Sequence, residues 1–258
     1  YNPEAVRHYR AGLALLDGFG PQFALPVSGR AARLLADAIP QLTLALADGT
    51  SATMTAWAGD GGAFQRWTVS APYRWRGRLS LQRCAYTQLT EGGPLPVLPI
   101  QTRAQFADGV LTLENPALPW AAAIAGFPPG EAWERAADGP LEVDIAGAPG
   151  TTTLIYGFGP TAAEARASTL RLAQEPAPSL EAACEAWRAR FDGVPDDLIV
   201  RRGLAYGLVL AVPVGETCCI LTDHMLLPLS WNRDAYYVAR ALLSWQPALA
   251  DVVRRHLL

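Results

Sequence analysis

The stretch QLTLALADGTSATMTAWA, residues 41–58, reads as two β-strands and the turn between them. Two runs of alternating side chains flank Asp48-Gly49. Alternation with a period of two gives a strand one buried and one solvated face, and Asp-Gly suits the left-handed backbone of a tight hairpin turn.

The same pattern recurs outward from there. FQRWTV (Phe64–Val69), WRGRLSLQRCAY (Trp75–Tyr86) and AQFADGVLTLEN (Ala104–Asn115) are further strand runs, the last with a second Asp-Gly turn. LEVDIAGAPGTTTLIYGFG (Leu141–Gly159) adds two strands across a Gly-Ala-Pro-Gly link. Many short strands punctuated by glycine and proline predict a large antiparallel β-sandwich. GRAARLLADA (Gly29–Ala38) fits either a helix or an irregular strand.

After Gly159 the period becomes helical. Thr161 and Glu164 form a capping-box pair ahead of one helix, and Ser179 caps a second, LEAACEAWRARFDG. A third is expected from Asp196-Asp197 to Pro213, with GLAYGLVLAVPV (Gly203–Val214) as its buried part; that run is too short for a membrane span. In a fourth, Ala235, Val238, Ala239, Leu242 and Leu243 form an amphipathic stripe. A fifth starts at Pro247 with Leu249, Val252, Val253 and Leu257 at the same spacing. Its stripe stays open at RRHLL, which calls for a partner: the sandwich, a second copy in a homo-oligomer, or the rest of a longer protein. The last is the expectation. The expected organisation is a sandwich over residues 1–174, a linker helix over 175–195, and the start of a helical domain over 196–258.

Composition narrows the function. Half of the 258 residues are hydrophobic and 17% are charged, as in a folded, soluble protein. A net charge of -3 offers no basic field for nucleic acid. All 21 basic residues are arginine, from which no function follows. Four cysteines without a C-x-x-C spacing, and three histidines, point away from a disulfide framework or a zinc site and toward a reduced, cytoplasmic protein. No metal or cofactor is expected. GFGPT (Gly157–Thr161) lacks dinucleotide-site spacing, and no nucleophile-elbow motif accompanies Asp223, His224 and Ser230.

The densest chemistry lies in LPLSWNRDAYYVARALL (Leu227–Leu243). Arginine is a fork of donors and aspartate an acceptor, so Arg233 beside Asp234 suits the neighbouring hydroxyls of a sugar. Trp231 could cover an apolar ring face, and Asn232, Tyr236 and Tyr237 add amphipathic surface. On residue types alone the cluster reads more readily as a helix start than as a site, with Ser230 as cap and Asp234 as a first-turn acid.

This segment resembles the W-x-R-D motif of glucoamylases and related glycogen-debranching glycoside hydrolases. The order of sandwich, linker helix and further helices, with TLIYGFGPTAAEA (Thr153–Ala165) at the sandwich exit, resembles theirs too. The resemblance implies a β-supersandwich followed by the first helices of an (α/α)6 toroid, and inverting hydrolysis of an α-glucan or oligosaccharide. It assigns Arg233 and Asp234 to sugar hydroxyls and Trp231 to the same pocket, and no role to Asn232. Asp223 and His224 fall on the preceding loop, at a pocket rim or in a turn. Inverting enzymes of this type use two carboxyl groups roughly 6.5–9.5 Å apart. The family's are glutamates from later helices, so the catalytic pair is expected outside this chain. The alternative is a non-catalytic carbohydrate-binding or scaffold sandwich.

Overall fold

The computed structural model describes residues 16–59, 62–79, 81, 102–116, 121–126, 135–137, 141–174, 179–214, 216–220 and 232–257. Those up to 189 form one compact unit and those from 190 onward another.

The first unit opens with β1 (Leu16–Gln22), β2 (Val27–Leu35), β3 (Ile39–Leu46), β4 (Ser51–Gly59), β5 (Gly62–Val69) and β6 (Tyr73–Leu79). It continues with β7 (Thr102–Ala107), β8 (Val110–Glu114), β9 (Ala121–Ala125), β10 (Arg135–Ala137), β11 (Leu141–Gly147) and β12 (Gly150–Gly159). Nine of these form one sheet in the order β10-β7-β8-β9-β12-β5-β4-β3-β2, and β1-β6-β11 form a second. All pairings are antiparallel. The sandwich expected from the alternating runs is therefore the fold.

The turns form where the sequence marks them. Between β3 and β4, Asp48 Oδ1 accepts from the Thr50 amide at 3.0 Å and the Thr50 hydroxyl at 2.6 Å, and Gly49 takes a φ of 85°. Between β7 and β8, Asp108 and Gly109 both have positive φ, 49° and 76°, which matches the right-handed twist of the flanking strands. Residues 29–38 resolve into the edge strand β2 and its turn. Most of β2 is exposed, so it has no buried face for an alternating pattern to encode.

Gly147 pairs with Tyr73 in the short sheet, while Gly150 pairs with Val69 in the long one. The links β5–β6 and β11–β12 thus cross between the sheets side by side, the second one being the Gly-Ala-Pro-Gly link. Between the sheets lie Trp67 and Trp75, edge to face at 6.3 Å, with Tyr73 at 5.5 Å from Trp75. A buried tryptophan removes roughly 150–250 Å² from water, or about 4–6 kcal/mol by area.

The other face of the long sheet is covered by α1 (Ala162–Gln174) and α2 (Leu180–Arg190). The Thr161 hydroxyl accepts from the Glu164 amide and the Glu164 carboxylate accepts from the Thr161 amide, both at 3.2 Å, closing the expected capping box. Ser179 Oγ accepts from the Ala182 amide at 3.0 Å. Ile39, Trp57, Phe64, Leu172, Ala183 and Cys184 form the core beneath these helices. Trp57 stacks on Phe64 at 5.4 Å.

The second unit contains α3 (Leu198–Val209), β13 (Ala211–Val214), β14 (Thr217–Ile220), α4 (Asn232–Leu243) and α5 (Pro247–Leu257). Asp197 caps α3, its Oδ1 accepting from the Ile199 and Val200 amides at 2.8 and 3.0 Å. Two expectations are corrected. The apolar run Gly203–Val214 is not one buried helix: α3 stops at Val209, and Ala211–Val214 pairs with Thr217–Ile220 as a hairpin. The β-branched residues after Leu210, and Pro213 with no amide to donate, fit that edge geometry. Nor is α3 buried, since Ile199, Tyr206 and Val209 are exposed. No described helix is long and apolar enough to cross a membrane.

Candidate functional site

The β13–β14 hairpin carries α4. Ala235 is buried in a cluster with Leu210, Cys218, Cys219, Ile220 and Val253, and Val238, Ala239 and Leu249 pack on it. Of the expected stripe Ala235 and Leu242 are buried and Val238 and Ala239 partly so; Leu243, its last member, is exposed. Cys218 and Cys219 are structural in this cluster. Burial, with Cys219 adjacent, pushes the Cys218 thiol up to about 11, and burial raises Cys219 as well.

With Ala235 facing the hairpin, helical geometry orients the residues before it. Successive positions turn by about 100°, so Asp234 lies on the flank of α4 and Arg233 on its outer side. The side-chain exposures follow, 34% for Asp234 and 74% for Arg233. Arg233 Nη2 lies 3.9 Å from Asp234 Oδ2, the outer limit of an ion pair and too far for a hydrogen bond. Asp234 Oδ2 is closed to solvent and has no hydrogen-bond partner among the described residues. A shielded carboxylate oxygen without a donor is costly, and the helix N-terminus offsets only part of that cost.

The pair is therefore an acceptor lacking a donor beside a guanidinium turned to solvent. A hydroxylated ligand could donate to Asp234 and accept from Arg233. Tyr236 and Tyr237 are exposed on the next turn, edge to face at 5.5 Å, and the Arg240 guanidinium lies 5.7 Å from the Tyr236 ring. These residues extend the same amphipathic surface. Asp223, His224 and Trp231, and Ser230, the cap expected from the sequence, lie outside the described residues. The sequence reading missed the hairpin that positions this turn, because Gly203–Val214 looked like one apolar helix. Pro213 followed by Gly215 was the available signal.

No protein-family model matches the sequence. No curated protein matches it. Among solved structures, the chain is similar to a crystal structure of a bacterial glucoamylase complexed with acarbose, with a TM-score of 0.58 at 10% sequence identity. The similarity covers 89% of this chain and 41% of that one, so the chain spans less than half the length of the glucoamylase it matches. A β-sandwich followed by helices, in the order found here, is the fold shared with that glucoamylase.

Proposed function

We propose that the chain is the N-terminal part of a glycoside hydrolase of glucoamylase or glycogen-debranching type, which inverts configuration while cleaving α-glucosidic bonds. Residues 1–174 are the sandwich, 175–195 the linker and 196–258 the start of the helical domain. Arg233 and Asp234 hold hydroxyls of the sugar at the cleaved bond, with Trp231 lining the pocket and Asp223 and His224 at its rim. The catalytic carboxyl pair belongs to a later part of the protein.

The observation that carries this reading is the unpartnered Oδ2 of Asp234 beside Arg233, in a chain with a glucoamylase's fold. For a sugar hydroxyl to donate to Oδ2 the group covering that oxygen has to move aside; the bond would then remove the cost of the buried acceptor, and a neighbouring hydroxyl would accept from the guanidinium. The bond to the ionised carboxylate is charge-assisted, so it fixes the ring's orientation as well as binding it. That the similar glucoamylase was crystallised with acarbose favours an oligosaccharide or α-glucan as substrate. The buried free thiols of Cys184, Cys218 and Cys219 suit a reducing, cytoplasmic setting.

The test is glucose release from maltooligosaccharides by the protein as encoded, with Asp234→Asn beside it. Turnover should fall by orders of magnitude while the melting temperature stays nearly constant. Intact turnover with lost stability would make the pair a helix-start device. Acarbose binding without hydrolysis, abolished by Asp234→Asn, would replace the enzyme with a carbohydrate-binding protein.

A further inference from the structure

A second polar centre lies on the sandwich, in the register of the long sheet. On the face covered by α1 and α2, Leu35, Ile39, Trp57 and Phe64 occupy neighbouring positions on β2–β5 and feed the core. The next row along the same face changes character. Arg33 pairs with Gln41, Gln41 with Thr55, and Thr55 with Arg66, so four adjacent strands place two arginines in one line.

Both arginines are held. Arg33 Nε donates to Gln41 Oε1 at 2.6 Å, and Gln41 Nε2 donates to Thr55 Oγ1 at 2.9 Å, anchoring the first to a buried threonine. The Arg66 guanidinium lies 5.2 Å from the Trp57 ring. Stacking occupies the flat face of a guanidinium and leaves its N–H edge available. From α2, Arg188 joins them. Together Arg33, Arg66 and Arg188 line a cleft of about 630 Å³ with Leu35, Leu180 and Glu181.

Among the described lining residues this cleft carries three positive charges against one negative. None of the three arginines forms an ion pair with a described carboxylate, and Glu181 is the single acid in the lining. Three like charges facing one cavity repel one another, and a dianion would relieve that repulsion while accepting several N–H bonds. The volume exceeds what one oxyanion fills and falls in the range of small-molecule sites.

We propose that this cleft binds a phosphate monoester of hexose size, its phosphate on Arg33, Arg66 and Arg188 and its body against Leu35 and Leu180. Its lining includes neither Arg233 nor Asp234, and the proposal stands whether or not the chain belongs to a hydrolase.

The experiment is calorimetric titration of the full chain at low salt with glucose 6-phosphate, inorganic phosphate and glucose. Arg188→Gln and Arg33→Gln are titrated alongside, with circular dichroism to verify folding. Glucose 6-phosphate should bind saturably at one site, more tightly than inorganic phosphate, and glucose should not bind. Each variant should weaken the ester about tenfold or more, as expected for losing a charge-assisted bond. Equal affinity for the ester and inorganic phosphate would reduce the site to a phosphate-ion site and overturn the ester assignment. No binding, or unchanged affinity in both folded variants, would overturn the site itself.

Discussion

Thr169 on α1 rests directly on Gly157 of β12, with no room for a side chain between them. A Cβ at position 157 would collide with the Thr169 hydroxyl and its backbone nitrogen. That hydroxyl lies 2.9 Å from the Ala165 carbonyl and 3.1 Å from the Ala123 carbonyl, so its proton is committed to acceptors on the helix and on β9. Gly157→Ala should therefore destabilise the sandwich by about 1–3 kcal/mol in denaturant unfolding, because backbone has to shift to admit a methyl group. Gly203 on α3 is the contrasting case, since a Cβ there meets nothing within 4 Å. Gly203→Ala should stabilise by about 0.5–1 kcal/mol, and a loss there would mean that α3 is covered by another part of the protein.

Arg233 and Asp234 should be energetically independent in the unliganded protein. At 3.9 Å, with the arginine mostly in solvent, their Coulomb attraction is small. A double-mutant cycle with Arg233→Gln and Asp234→Asn should give a stability coupling below about 0.5 kcal/mol. The same cycle measured on oligosaccharide binding should show strong non-additivity. A large coupling in stability alone would mark the pair as part of the scaffold.

Asp144 gives the sandwich an acid-sensitive link between β6 and β11. Its Oδ1 accepts from Arg74 Nε at 2.5 Å and from Arg76 Nε at 3.1 Å. The hydrogen bonds from Arg76 and then Arg74 hold its carboxyl below the usual value of 3.8. A carboxyl whose folded value is depressed adds stability that is fully present above the unfolded value, and this stability is lost as pH falls through the folded one. Asp144→Asn should lower the melting temperature at pH 7, and the gap to wild type should close as pH falls below about 4. A gap that stays constant with pH would exclude this linkage.

Cys184, Cys218 and Cys219 are free thiols, all buried. Since the thiolate is the reactive form and burial pushes Cys218 up to about 11 and raises Cys219 as well, neither of these two should react with a thiol reagent at pH 8 while the protein is folded. In a background with Cys84→Ser and Cys184→Ser, the folded protein should show no labelling and the unfolded protein two labelled sites. Labelling of Cys218 in the folded protein would show that the hairpin under α4 opens.

Much of this fold was legible from local rules. Asp48-Gly49 and Asp108-Gly109 marked hairpins because their backbone demands are local, and Thr161, Ser179 and Asp197 marked helix starts for the same reason. The edge strand β2 was illegible because it has no buried face. β13 was hidden because an apolar run has no period that separates a helix end from a short strand. Leu243 shows the limit of the stripe: a 3.6-residue period predicts which face is apolar, while the width of the partner decides which member is covered. At the candidate site, Arg233 and Asp234 were visible as neighbours in the chain, but the shielding of one Asp234 oxygen is a tertiary property that no local pattern encodes. Arg33, Arg66 and Arg188 were invisible as a group, since only the register of four strands and the placement of α2 brings them together.

The position of β12 has a consequence during synthesis. It is the last strand of the long sheet to leave the ribosome, yet it lies between β9 and β5. Until residues 150–159 emerge, β2–β5 and β7–β10 are two separate antiparallel ribbons, and each exposes the edge that β12 will later join. At roughly 5–20 residues per second, those edges stand open for several seconds, ready to pair with another nascent chain. The newly made protein is thus most prone to aggregation just before its middle strand arrives.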